Sequence, residues 1–276
     1  MENMTINVGG SLMDLSRPRL MGIVNATPDS FFAGSRVQTE DAVASRVRQM
    51  LEEDADILDV GACSTRPGSI PVSEDEERLR LRIALGALRS EAPDAVVSVD
   101  TFRPDVARMA VEEYGVAIVN DIGDPTQPRE ACPAMFRMVS RLRVPYILMS
   151  VQPTMMLMLQ DFARDVQQLR ALGVSDIIVD PGFGFGKTLE QNYEVLHQLH
   201  QLRILNLPIL VGVSRKRMVW QLLGTSPAEA LNGTTVLHVL ALQQGAAILR
   251  VHDVKAAAEA IQICGTAQGK EVKNKE

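Results

Sequence analysis

The chain has 276 residues, 46% of them hydrophobic, enough to bury a large core as two small domains or one α/β barrel. A net charge of -6 and a pI ≈ 5.4 leave no basic footprint, which argues against nucleic acid or an anionic membrane as a partner. Three cysteines, Cys63, Cys132 and Cys264, are odd in number and far apart, which fits a reducing cytosol rather than a disulfide framework, and no CxxC or Cys/His cluster suggests zinc. The N-terminal segment lacks a basic stretch followed by a signal-like apolar run, and no stretch approaches ~18 uninterrupted apolar residues, so a soluble cytoplasmic protein is expected.

In chain order, Ile6-Asn7-Val8-Gly9-Gly10-Ser11-Leu12 sets apolar residues on both sides of a Gly-Gly pair, the pattern of a two-residue hairpin that would cap one end of a core. From Arg19 onward, apolar and often β-branched runs end in polar residues and lead into amphipathic stretches. The predicted strands are 20–25, 57–60, 96–100, 117–120, 146–149, 177–180, 209–213 and 248–251; the predicted helices are 39–53, 73–92, 104–114, 129–142, 156–172, 189–205, 227–243 and 254–264. Ser73 with Glu76 forms a capping box, Pro104 suits a first helical turn, and Gly115 and Gly173 follow helix ends. Strands alternating with helices imply βαβ units, and eight of them imply a closed (β/α)8 TIM barrel, one domain over 1–265, with the polar, lysine-rich 266–276 as a frayed, disordered tail.

The segment Asp180-Pro181-Gly182-Phe183-Gly184-Phe185-Gly186-Lys187 follows the run Ile177-Ile178-Val179 and reads as a buried strand opening into a tight loop. Its glycines allow positive φ and close approach of a ligand, and Phe183 and Phe185 can offer flat surfaces to a ring. A glycine-rich turn also serves as a plain connection between strand and helix. Gly186-Lys187-Thr188 imitates the end of a Walker A motif, but that motif needs a glycine where Pro181 stands, so a P-loop is rejected.

A barrel gathers its active site where strand ends meet the following loops. Those ends carry Asn25, Ser64-Thr65-Arg66, Asp100, Asn120-Asp121, Ser150, Asp180, Ser214-Arg215-Lys216, and Arg250 with His252. Any one of them could merely end a strand or cap a helix; polar groups at all eight ends point to a site. Asp100, Asn120 and Asp180 offer acceptors to a planar heterocycle with adjacent N–H groups, and Lys216 can donate to a ring carbonyl or nitrogen. Thr65, Arg66, Arg250 and His252 suit an anion. Asn25 and Asp29 could supply oxygen ligands to Mg²⁺ shared with phosphate, or Asp29 could simply hold the Thr27-Pro28-Asp29 turn.

Seven ordered segments resemble the dihydropteroate synthase family: Met21 to Phe31, Ser64-Thr65-Arg66-Pro67-Gly68, Ser98-Val99-Asp100-Thr101, Asn120-Asp121-Ile122, Asp180 to Lys187, Gly212-Val213-Ser214-Arg215-Lys216 and Arg250-Val251-His252-Asp253-Val254. The resemblance implies a pterin-binding TIM barrel, usually a homodimer and a sulfonamide target. It implies a transferase of folate biosynthesis that joins hydroxymethyl-dihydropterin pyrophosphate to para-aminobenzoate, giving dihydropteroate and pyrophosphate. It further implies that Asp100, Asn120, Asp180 and Lys216 hold the pterin, that Asn25, Arg250 and His252 hold pyrophosphate, with Asn25 also on Mg²⁺, and that Thr65, Arg66, Pro67, Phe185 and Ser214, together with Lys216, shape the aminobenzoate site. Lys216, Asp100, Asp180 and Arg250 would be the catalytic residues. Ala33 stands where the family usually has an acid, Leu148-Met149-Ser150-Val151 replaces the common Met-His-Met, and Met155-Met156-Leu157-Met158-Leu159 takes the place of a more polar loop, reading either as a buried helix start or as an exposed association surface. Rival readings are a pterin-dependent methyltransferase, which has no need for the Ser64 and Ser214 motifs, and a catalytically silent pterin-binding protein.

Overall fold

The structure is a computed structural model that describes residues 4–26, 36–63, 72–123 and 133–269. A hairpin of β1 (Thr5–Val8) and β2 (Ser11–Asp14) comes first, turning through Gly9 and Gly10 at φ 60 and 90, as the Gly-Gly pair predicts. Eight parallel strands follow: β3 (Arg19–Asn25), β4 (Ile57–Gly61), β5 (Val97–Asp100), β6 (Ile118–Asp121), β7 (Tyr146–Met149), β8 (Ile177–Asp180), β9 (Leu210–Val211) and β10 (Ile248–Val251). Their order is β8-β7-β6-β5-β4-β3-β10-β9. The ring closes between its outer members, where the N–H of Val179 donates to Pro208 O at 2.9 Å and Val179 bridges Ile209 in parallel. This is the expected TIM barrel.

Alternation along each strand sorts the side chains into two apolar bodies. Leu20, Val24, Leu58, Val60, Val97, Val99, Val119, Tyr146, Leu148, Ile177, Val179, Val211, Leu249 and Val251 face outward into the helix layer. The inward residues at the strands' starts, Met21, Ile57, Ile118, Ile147, Ile178, Leu210 and Ile248, form a second cluster with Ile6, Val8 and Leu15. The hairpin therefore plugs the amino-terminal mouth of the barrel. Inward positions further along β4, β5, β6, β8 and β10 are polar: Asp59, Ser98, Asp100, Asn120, Asp180 and Arg250.

The helices are α1 (Arg36–Glu52), α2 (Glu74–Glu91), α3 (Pro104–Tyr114), α4 (Pro133–Leu142), α5 (Met155–Ala171), α6 (Leu189–His197), α7 (Arg217–Leu223), α8 (Leu231–Gln243) and α9 (Val254–Ala267). Ser73 caps α2 by accepting from the N–H of Glu76, Pro104 opens α3, and Gly115 ends it at φ 63. Four expectations need correction. The predicted helix 189–205 breaks at Gln198 into α6 and a 3-10 segment, Leu199–Leu205, closed by Asn206 at φ 51. Helix 227–243 is a 3-10 turn, Pro227–Glu229, before α8. α7 was not foreseen, because its seven residues are shorter than two turns of any periodic pattern. Thr266 and Ala267, expected in a frayed tail, belong to α9, and 270–276 lie outside the described residues.

One helix residue gives the fold a pH dependence. His238 on α8 is 1% exposed, and neither ring nitrogen finds a hydrogen-bond partner. Burial pushes its pKa down to about 4, against a pull upward from Asp253. Between pH 4 and 6.5 the unfolded chain binds a proton that the native chain refuses, so native stability rises with pH across that window, by about 3 kcal/mol in all at ~1.4 kcal/mol per pKa unit. Denaturant unfolding at pH 4.5 and 7 should show this loss on acidification, and His238→Leu should flatten that part of the profile.

Candidate active site

Parallel strands carry their polar ends to one rim, and four strands converge on Arg250. Its Nε donates to Asp59 Oδ2 at 2.6 Å and its Nη2 to Asp100 Oδ2 at 2.5 Å. Asn120 donates through Nδ2 to the same Asp59 oxygen at 3.1 Å. Asp59 Oδ1, Ser98 Oγ and Asn120 Oδ1 are buried with no hydrogen-bond partner, so acceptor capacity is left over inside the barrel. Burial pushes Asp100 up to about 7, against the opposing pull of Arg250, and burial likewise raises Asp180, against Lys216. Burial works against the charge of Arg250, but Asp59 and Asp100 outweigh it and keep the guanidinium protonated.

The loop after β8 is shaped by three glycines at positive φ, Gly182 at 62, Gly184 at 80 and Gly186 at 61. Asp180 Oδ1 accepts from the N–H of Gly182 at 2.8 Å, and Asn192 Oδ1 accepts from the N–H of Gly184 at 2.7 Å. Lys187 Nζ donates to three backbone carbonyls, of Ser150 (3.4 Å), Gly182 (3.1 Å) and Phe185 (3.3 Å). Lys216 Nζ donates to Phe183 O and stands 4.6 Å above the centre of the Phe185 ring. Burial holds both lysines down at about 8, with Asp180 pulling each back up. Phe183 is fully buried in the helix-facing core, so of the two phenylalanines only Phe185 is placed at the rim.

Beyond β9, Ser214 Oγ accepts from the N–H of His252 at 3.1 Å and lies 3.2 Å from His252 Nδ1. Between Ser214 and Lys216, Arg215 adopts φ 52, pairs through Nε and Nη2 with both oxygens of Asp253 (2.8 and 2.9 Å), and donates to the carbonyls of Pro227 and Ala228. Its own N–H donates to Thr234 Oγ1 at 3.0 Å. Asn25 ends β3 opposite Gly61, next to Arg250's strand. Thr65, Arg66, Pro67, Asp29 and Ala33 lie outside the described residues. Where the chain resumes at Val72, its carbonyl accepts from Arg103 Nη2 at 2.7 Å, and Arg103 pairs with buried Glu77, which also accepts from Thr101 Oγ1 at 2.7 Å. Among the described residues, the rim thus brings together Asp100, Asn120, Asp180, Lys216 and Arg250, with Phe185, Ser214, His252 and Asn25 around them.

Residues 21–252 match the family described as pterin binding enzymes. The chain is 36% identical over 269 residues to the dihydropteroate synthase of Escherichia coli (strain K12), covering 92% of this chain and 93% of that one. The chain belongs to the dihydropteroate synthase family. Among solved structures it is similar to the Xanthomonas albilineans dihydropteroate synthase with 4-aminobenzoic acid (TM-score 0.88, 34% identity, 98% of this chain and 100% of that one) and to the Yersinia pestis dihydropteroate synthase with a sulfonamide drug (TM-score 0.86, 36% identity, 96% and 100%).

Two departures from the usual dihydropteroate synthase pattern are now placed. Ser150, where histidine is common, donates to Asp161 Oδ2 at 3.2 Å and accepts from the N–H of Gln152 at 3.3 Å, so it ties β7 to α5. The methionine-leucine stretch begins a helix that is buried on one side: Met155 and Met158 are buried in the first turns of α5, while Met156 and Leu157 are exposed. Asp59 is the residue that sequence reading missed. Its signal was present, a lone carboxylate inside the apolar run Ile57-Leu58-Asp59-Val60, where burial without a partner would be prohibitive. The loop after β8 also makes a testable demand. A Cβ on Gly182 would come 2.4 Å from Ser150 O at a φ that side chains resist, whereas one on Gly9, also left-handed, would meet nothing within 4 Å. Gly182→Ala should cost about 2–4 kcal/mol in denaturant unfolding, and Gly9→Ala about 1 kcal/mol.

Proposed function

We propose that this chain is a dihydropteroate synthase, an alkyl transferase of folate synthesis that joins hydroxymethyl-dihydropterin pyrophosphate to para-aminobenzoate and releases pyrophosphate. One observation carries the reading: in a chain similar to dihydropteroate synthases over nine-tenths of its length, Asp100, Asn120, Asp180, Lys216 and Arg250 stand on one rim, with the Asn120 Oδ1 acceptor left unpaired. Asp100, Asp180 and Asn120 Oδ1 accept from the pterin's N–H groups, and Lys216 donates to its carbonyl or ring nitrogen. Departure of pyrophosphate leaves a cationic methylene conjugated with the ring. The Asp100 and Asp180 carboxylates stabilise that cation, while Arg250 and His252 hold the leaving anion. The arylamine attacks without a strong base, with Phe185 and Ser214 beside Lys216 framing its site together with Thr65, Arg66 and Pro67.

Mg²⁺ fits the donor set in a limited way. Among the described residues no group of three or more His, Cys, Asp and Glu could hold a metal, but a hard cation that takes most of its oxygens from pyrophosphate and water needs little more than the Asn25 amide oxygen. Bound there, it would supply further neutralisation of the leaving group. A homodimer is proposed as well. Val236 and Leu240 lie exposed on α8, one and two turns beyond Gly233, against which Leu223 of α7 packs, and Leu222 and Leu231 add to this apolar face. A second copy would cover it. Among the described residues no helix is long and apolar enough to cross a membrane, and Cys63 and Cys264 are free thiols, in keeping with the cytoplasmic location we propose.

Purified chain with the dihydropterin pyrophosphate, Mg²⁺ and para-aminobenzoate should form dihydropteroate, and a sulfonamide should inhibit it. Pterin bound without product would instead identify a silent binder. Lys216→Ala should remove turnover while leaving the unfolding midpoint near that of the parent. Because Asp100 can accept through both oxygens only when ionised, and its pKa is about 7, pterin affinity should fall as pH drops below 7, approaching tenfold per unit. A pterin affinity by calorimetry that stays flat from pH 5.5 to 8 would remove Asp100 from the ring site.

A further inference from the structure

We propose that Asp59 is a positioning residue, which fixes from beneath how Arg250 and Asn120 face the substrates. The inference rests on the reading of Arg250 as an anion-holding group and of Asn120 as a ring acceptor. Asp59 sits in the middle of β4 with its side chain 0% exposed, flanked by Leu58 and Val60, which face the helix layer. A carboxylate so placed needs a cation, and Arg250 supplies it through Nε. The other carboxylate on Arg250, Asp100, is 14% exposed and lies two residues further toward the rim: its register partner on β4 is Gly61, two positions beyond Asp59.

The two carboxylates therefore differ in what a ligand can do to them. A substrate entering from the rim competes for Asp100 and for the terminal nitrogens of Arg250. It does not reach the Nε bond, which lies below the guanidinium. When Asp100 turns its oxygens to pterin N–H groups, Arg250 stays charged, stays in plane and has a terminal edge released for pyrophosphate. Asp59 settles Asn120 in the same way. An amide can present either end to a ligand, and the order is set by its hydrogen bonds. Because Nδ2 is given to Asp59 Oδ2, the end left unpaired and buried is Oδ1, an acceptor, beside Asp100 across the β5–β6 pair. One oxygen thus sets a cation's plane and an amide's polarity together.

The first test uses the unaltered protein. With arginine labelled at Nε and the Arg250 signal assigned by its loss in Arg250→Lys, the Nε–H resonance should lie away from the solvent-exposed arginines and should persist when inorganic pyrophosphate and Mg²⁺ are added to saturation. A signal that moves to the position of exposed arginines on adding pyrophosphate would overturn the proposal. The second test is Asp59→Asn, which keeps the shape and removes the charge. It should weaken inorganic pyrophosphate at least tenfold by calorimetry and move the Arg250 Nε resonance toward the exposed value; a folded variant with unchanged affinity and unchanged resonance would overturn the proposal too. Both tests read pyrophosphate and Arg250 alone, so they stand apart from whether dihydropteroate is formed.

Discussion

Arg250 between Asp59 and Asp100 is the interaction on which the upper half of the barrel depends. Three charged side chains share a space that the strands close off from water, and each carboxylate alone would pay a desolvation cost of several kcal/mol. The guanidinium offsets both. It also leaves acceptors to spare, since Asp59 Oδ1 and Asn120 Oδ1 are unpaired, beside the equally unpartnered Ser98 hydroxyl. A donor-rich planar molecule is what such a cavity lacks. The apolar lower half, sealed by the hairpin, makes this possible by keeping water from approaching the pair from below.

The rim is held by backbone as much as by side chains. Lys187 gathers carbonyls from the ends of both β7 and the loop after β8, and Lys216 crosses from the loop after β9 to Phe183 O. The Lys216 contact crosses the place where the sheet closes, between β8 and the two-residue β9, while Lys187 joins the ends of β7 and β8. The left-handed Arg215, tied on one side to Asp253 and on the other to Thr234, continues the same bracing toward β10.

Much of this was legible in the sequence for a physical reason. Buried parallel strands are short, apolar and β-branched, and the polar residue that ends each one marks the rim; 146–149, 177–180 and 248–251 match the observed strands residue for residue. What the linear pattern lacks is the sense of facing. Asp59 looked like part of a strand interior, and only barrel closure turns it toward Arg250 rather than toward a helix. Phe183 and Phe185 are two apart in a loop, where alternation carries no meaning, and one is core while the other is rim. The break after His197 was hidden because 3-10 and α segments share an apolar spacing over a single turn. The aminobenzoate residues Thr65, Arg66 and Pro67 rest on the family resemblance.

The plug at the amino-terminal mouth has a bearing on how the chain comes to be folded. Ile6 and Val8 precede every strand of the barrel, yet their cluster includes Leu210, Ala247 and Ile248, more than 200 residues further along the sequence, and β3 pairs with β10. Contacts so distant along the chain make folding slow, because loop entropy must be surrendered before they repay it. During synthesis the hairpin keeps its apolar face uncovered until β10 has emerged, which concentrates the risk of aggregation on the hairpin.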